Sequence, residues 1–251
     1  MLEHPILGTF RLVWLLLEFL MVALGALART AFVPRDSRAL ARARWLQWAS
    51  RRILRVLGLQ PEAYGPLPKS GLLVSNHLSY LDVLVLATIT PCLFVAKQDV
   101  KSWPLFGWLA RMGGTIFVSR ESRMKARDSA AEIKTALDSG GLVVLFPEGT
   151  SSGGETVLPF KSALLEPAAG ASHPVSAARI AYYLPGGNIS EEVCYWKDMT
   201  LLPHLLHLLG KRGLRAGVCF APFNEKIGDR KELARSLHRE VTSLQVPLPA
   251  P

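Results

Sequence analysis

From residue 72 onward, short apolar runs alternate with longer stretches of helical periodicity, and few folds accommodate that alternation. Residues 72–75, 92–96, 115–118, 142–146, 175–183 and 214–221 read as strands. Residues 79–89, 103–112, 122–139, 161–168 and 229–244 read as helices, the third ended by Gly140-Gly141. Strands alternating with helices build a parallel sheet, because each helical crossover returns the chain to the same edge and covers a face. The expected fold is α/β, with a mixed, mostly parallel central sheet flanked by helices. There is no GxGxxG and no GxxxxGK(S/T), so no nucleotide-phosphate loop is indicated. With 49% hydrophobic residues the chain can bury enough surface to offset its ordering entropy, which excludes disorder. Cys92, Cys194 and Cys219 are odd in number and widely spaced. They form no disulfide framework or zinc pattern and point to a reducing compartment.

The N-terminal sixty residues differ in kind. They hold nine Arg, no Lys and three acids, and so carry +6 of the chain's net +9. Residues 12–28 are apolar apart from Glu18. As a helix they would rise about 25 Å, just short of a ~30 Å hydrocarbon core. The stretch runs into Arg29 without a small-x-small site, which argues against a cleaved signal peptide. Residues 38–59 read as a second helix, with Leu46, Ala49, Ile53 and Leu57 on one stripe. Arg44, Arg51, Arg52, Arg55 and Trp48 gather opposite, with Trp45 at a boundary. A basic amphipathic helix of this kind suits an anionic headgroup layer; a surface helix packed on a core is the alternative. The expectation is a two-helix membrane anchor over 1–60, a Pro/Gly-rich linker over 61–71 and a catalytic domain over 72–251. The Arg excess after residue 28 assigns the body to the cytoplasmic face of the inner membrane. A nucleic-acid partner is not expected beside a lipid-philic helix.

Three segments carry chemistry. The first, Asn76-His77-Leu78-Ser79-Tyr80-Leu81-Asp82, follows a strand directly, where active residues of α/β sheets collect. Asp82 in the first turn of the next helix can hold one imidazole nitrogen of His77 and leave the other free as a base. Ser79-x-x-Asp82 also reads as a capping box. The second, Phe146-Pro147-Glu148-Gly149-Thr150, is a turn after a buried strand, with Gly149 permitting close backbone approach to a ligand. In the third, 114–120, a strand delivers Arg120 at its exit. Arg120 suits a phosphate or carboxylate, or else pairs with Glu121 or Asp128 at the surface.

In that order, Asn-His-x₄-Asp, Gly-x-x-Phe-Val-x-Arg and Phe-Pro-Glu-Gly-Thr resemble the blocks of the 1-acylglycerol-3-phosphate acyltransferase family. Pro174-Val175-Ser176 is similar to its fourth block, and the likeness covers roughly 70–185. The resemblance implies acyl transfer from acyl-CoA or acyl-carrier protein to a lysolipid hydroxyl, with no cofactor and no metal. It implies that His77 is the general base and Asp82 its orienter. Arg120 and Glu148, Gly149 and Thr150 would hold the acceptor head group, and Lys97 matches a lysine used for acceptor phosphate. Membrane lipids complete the expected partners.

One position departs from the phosphatidate-forming pattern Glu-Gly-Thr-Arg-Ser, because Ser151 stands where the Arg would be. The run on to Lys161-Ser162 is similar to lyso-ornithine-lipid acyltransferases. The family's commonest activity favours 1-acyl-sn-glycerol-3-phosphate as acceptor, with a lyso-ornithine lipid as the alternative. Gly149-Thr150-Ser151-Ser152-Gly153 also fits the G-x-S-x-G elbow of serine hydrolases, with His173, His204, His207 and His238 following it. An elbow passes straight into a helix, and Gly153, Gly154 and Pro159 argue against one here. His204 and His207, at i and i+3, lack an evident third metal ligand.

Overall fold

The structure is a computed structural model and describes residues 4–30, 38–103, 106–118, 123–166, 169–170 and 172–247. Its helices are α1 (Pro5–Thr30), α2 (Arg38–Leu57), α3 (Leu81–Ile89), α4 (Phe106–Met112), α5 (Arg123–Asp138), α6 (Ile189–Glu192), α7 (Leu201–Leu209) and α8 (Arg230–Ser243). Its strands are β1 (Pro61–Tyr64), β2 (Gly71–Ser75), β3 (Leu93–Lys97), β4 (Ile116–Val118), β5 (Leu142–Leu145), β6 (Val175–Tyr183) and β7 (Arg215–Phe223). They form one sheet in the order β1-β7-β6-β2-β5-β3-β4. Among the described residues only β6 and β7 pair antiparallel, so the sheet is mixed and mostly parallel, as the alternation requires.

Both faces of the sheet are covered. Leu73 and Val144 point into a core built with α2 and α3, and their neighbours Leu72, Val74, Val143 and Leu145 point into a second core with α5 and α8. This period-2 division explains why β2 and β5 are buried at every position. The two cores differ in role, because α3, which carries Asp82, lies on the first.

Two expectations need correction. The 61–71 segment is not wholly a linker: Pro61–Tyr64 pairs with β7 as an edge strand. Half-exposed and headed by a proline, it has no apolar alternation to betray it, and a first-position proline on an edge forfeits no ladder bond. Of the expected helix over 161–168, the described residues 161–166 form no α-helix. Ser162–Leu164 makes a 3₁₀ turn instead, with the Leu164 and Leu165 N–H groups bonding three residues back to the Lys161 and Ser162 carbonyls, and the Lys161 N–H goes to the Pro147 carbonyl at 2.8 Å. Within 103–112 the described helix is α4, which follows a 3₁₀ turn over Gln98–Ser102.

At the N-terminus α1 is longer than its apolar stretch suggests, and Pro5–Ala26 is long and apolar enough to cross a membrane. One face of α1 packs on α2 and α7 through Leu15, Val22 and Ala26. The opposite face leaves Ile6, Phe10, Val13, Leu17, Leu20 and Leu24 exposed at helical spacing. Glu18, the one acid in the stretch, is buried between the helices. It accepts from Arg52 Nε at 2.5 Å and from Trp14 Nε1 at 3.0 Å. The expected stripe of α2 is buried, and Arg44, Arg51 and Arg55 are exposed. The stripe packs on the protein core, and Trp45, expected at a boundary, is 1% exposed against Trp108. The apolar face free to meet lipid therefore belongs to α1.

Candidate active site

Four parallel strands, β2, β5, β3 and β4, end at one edge of the sheet, and the chemistry-bearing segments leave from those ends. Parallel alignment alone brings the His77 segment, the 146–150 turn and Lys97 to that edge, although about 70 residues separate His77 from Glu148.

His77 and Asp82 meet. His77 Nδ1 lies 2.7 Å from Asp82 Oδ2, and the same oxygen accepts the backbone N–H of Leu78 at 2.6 Å and of Ser79 at 3.0 Å. Asp82 is fully buried, and Tyr182 donates its hydroxyl to the other oxygen, Oδ1, at 2.6 Å. A buried carboxylate needs such partners to remain charged. Asp82 thus serves the imidazole and caps its helix at once. The reciprocal half of the capping box is missing, because the Asp82 N–H goes to the Ser79 carbonyl and the Ser79 hydroxyl is buried without a partner among the described residues.

With Nδ1–H donated to Asp82, His77 Nε2 carries the free lone pair, and no described residue occupies it. The His77 side chain is 22% exposed, and the Phe146 ring stacks on it at 4.2 Å and 17°. Stacking on one face and the carboxylate at Nδ1 fix the ring plane.

The second segment holds the first by its backbone. Glu148 Oε1 accepts the His77 N–H at 2.8 Å, and the Ser152 N–H donates to the His77 carbonyl at 3.0 Å. Glu148 Oε2 accepts the Leu158 N–H at 3.2 Å. At 2% exposure the Glu148 carboxylate is spent on these amides, so its part in the site is to clamp His77. Burial pushes the Glu148 carboxyl up to about 7, against the pull of the two amides. The folded chain therefore holds a proton that the unfolded chain has released between about pH 4.5 and 7. Over that window Glu148's contribution to stability is present at the acid end and declines as pH rises. Urea midpoints of the wild type should carry this decline, and Glu148→Gln should flatten it. That variant should also lose roughly 1–3 kcal/mol, since an amide cannot accept both N–H groups.

Gly149, at φ +67°, makes the turn, and a Cβ there would lie 2.9 Å from Lys161 Nζ. Lys161 is thus folded over the turn, a cation that residue types and spacing did not single out. Thr150 is exposed beside it, and Lys97 is exposed at the end of β3, opposite Val118. Arg120 lies outside the described residues. Ser151 does not start a helix, and its hydroxyl donates to the Tyr195 carbonyl, which removes the hydrolase elbow. His204 is buried, with Nδ1 3.1 Å from the Tyr80 hydroxyl and Nε2 3.1 Å from the Cys194 carbonyl. Burial lowers its pKa to about 4, so it is a neutral imidazole that bridges α7 to α3. His207 pairs instead with Glu192.

Comparison with known proteins gives this geometry its context. The acyltransferase family model matches residues 61–181. The chain is 34% identical over 218 residues to the lyso-ornithine lipid O-acyltransferase of Rhizobium meliloti, covering 80% of this chain and 75% of that protein. It is 32% identical over 163 residues to the 1-acyl-sn-glycerol-3-phosphate acyltransferase of Neisseria meningitidis, covering 60% of this chain and 64% of that one. The fold is that of the 1-acyl-sn-glycerophosphate acyltransferase PlsC of Thermotoga maritima, with a TM-score of 0.59 at 21% identity over 93% of this chain and 96% of that one. The chain belongs to the acyltransferase family and is an O-acyltransferase, related to enzymes named for lyso-ornithine lipid and for 1-acyl-sn-glycerol-3-phosphate.

Proposed function

We propose that the protein transfers an acyl group from an acyl thioester, acyl-CoA or acyl-carrier protein, to the free hydroxyl of a lysolipid at the membrane surface. The observation that carries the reading is His77 Nε2, open at the strand-end edge with Nδ1 held by a buried carboxylate. The lysolipid hydroxyl oxygen attacks the thioester carbonyl carbon while Nε2 takes the hydroxyl proton. The tetrahedral adduct collapses, the C–S bond breaks, and the imidazolium returns the proton to the thiolate. No acyl-enzyme forms, and neither a metal nor a cofactor is required. Asp82 holds the tautomer and balances the transient imidazolium.

The acceptor favoured here is a lyso-ornithine-type lipid, which reverses the preference drawn from the family's commonest activity. Ser151 supports it, since its hydroxyl is engaged with Tyr195 and offers no charged fork for a phosphate. The more extensive similarity to lyso-ornithine lipid O-acyltransferases supports it too. Lys161 over Gly149, with Lys97 and Arg120, would meet the carboxylate of the ornithine head group. Residues 1–60 would anchor the enzyme through the exposed face of α1 to the inner membrane, with the 72–251 domain on the cytoplasmic side.

Acylation of the two lysolipids, followed by mass spectrometry, tests the choice. Wild type should have the higher kcat/KM with the lyso-ornithine lipid. Ser151→Arg should move the ratio toward 1-acyl-sn-glycerol-3-phosphate by about 10- to 100-fold, the worth of one charged hydrogen bond. A ratio that stays put would place residue 151 away from the head group and remove this basis for the acceptor.

A further inference from the structure

Asp82 has two oxygens, and the dyad uses only one. Oδ2 takes His77 Nδ1 and two backbone amides; Oδ1 takes the Tyr182 hydroxyl and no other described group. We infer that Tyr182 is a positioning residue for the acyl transfer, its hydroxyl orienting the Asp82 carboxylate so that Oδ2 stays in the plane of His77. The inference rests on the proposed role of His77 as base.

The fold fixes this contact from three sides. β6 lies beside β2, whose exit leads to His77. Along β6 the alternate residues Ala178, Ile180 and Tyr182 face the core that contains α3, as the two-residue strand period demands. Asn76, one residue before His77, locks the two elements. Its Nδ2 donates to the Ile180 carbonyl at 3.0 Å, and its Oδ1 accepts the Ile180 N–H at 2.8 Å. The His77 segment and Tyr182 are thus referenced to the same stretch of β6, two residues apart. Tyr182 is 4% exposed and Asp82 is fully buried, so no solvent can replace the hydroxyl at Oδ1. Burial and the charge of Asp82 hold the phenol well above its usual range, so it stays a donor. Cys194 and Tyr80 are the other titratable groups near it, and burial raises both as well, leaving them neutral.

A tyrosine kept only to fill the core would serve as well without its oxygen. Tyr182→Phe retains the ring and removes only the donor. The Asp82 carboxylate is then freed to rotate, and Oδ2 no longer stays in the plane of His77. Turnover should fall about 10- to 100-fold, the worth of a hydrogen bond to a charged group, with the KM of both substrates within about twofold of wild type.

The deciding readout is the low-field proton resonance of His77 Nδ1–H in the full-length protein in detergent micelles, assigned by its absence in His77→Ala. In Tyr182→Phe it should move upfield, because the freed carboxylate no longer holds Oδ2 in line with Nδ1–H. Fluorotyrosine placed at 182 is a stronger donor of nearly the same volume and should move it upfield. An unmoved resonance in both proteins, or a kcat per folded Tyr182→Phe within twofold of wild type, would overturn the inference. Should Tyr182→Phe not fold, the fluorotyrosine protein decides alone, and an unmoved resonance there sinks the idea. Absence of acyl transfer by the wild type together with a moving resonance would instead discredit the proposed function and leave the positioning contact standing.

Discussion

His77→Ala should leave a folded, membrane-bound protein whose turnover is lower by ~10²–10⁴, the usual worth of a positioned base. The His77 side chain is 22% exposed, and its backbone bonds to Glu148 and Ser152 survive the substitution. The fold should therefore stay intact while the reaction loses both its proton acceptor and its later proton donor. The loss should appear in kcat far more than in the KM of the acyl donor, because the imidazole contributes to the transition state and little to donor binding. Steady-state thiol release with a chromogenic thiol reagent, set beside circular dichroism of the same preparation, measures both. A variant within tenfold of wild type would remove His77 from the mechanism.

Asp82→Asn should cost a comparable factor, for a reason the contacts make specific. Three donors converge on Oδ2 and one on Oδ1. An asparagine must therefore turn its oxygen toward Oδ2's place and its amide toward Tyr182, whose hydroxyl can accept instead. The His77 tautomer is preserved, and what disappears is the negative charge facing the imidazolium that forms during transfer. Turnover should drop by ~10²-fold or more, with thermal stability near wild type. Asp82→Ala should in addition lose roughly 1–3 kcal/mol, because the Leu78 and Ser79 amides are left buried without an acceptor. If Asp82→Asn kept its turnover and lost only stability, the carboxylate would be a helix cap and nothing more.

Much of this was legible in the residues because it depends on local pattern. The apolar runs of β2 and β5 and the five-residue spacing of His77 and Asp82 need no partner from elsewhere to be recognised. Parallel strand ends then bring the 146–150 turn to the His77 segment. What stayed hidden depends on register between distant segments. Tyr182 reads as one more core aromatic until the pairing of β6 with β2 aims it at α3. Glu148 reads as a head-group ligand until its two oxygens are seen to be filled by backbone amides. Pro61–Tyr64 carries no apolar alternation, and only its pairing with β7 makes it a strand. Trp45 reads as a boundary residue when α2 is set against a membrane, whereas α4 supplies Trp108 to cover it.

Acceptor-dependent thiol release is the most direct measurement of the central assignment. Purified protein in micelles is mixed with acyl-CoA or acyl-carrier-protein thioester, with and without lysolipid, and thiol and lipid products are quantified together. The expected result is one O-acylated lipid per thiol released, negligible release without lysolipid, and loss of both products in His77→Ala. Release of free fatty acid without lysolipid, or undiminished ester formation by His77→Ala, would contradict transfer through the His77–Asp82 dyad.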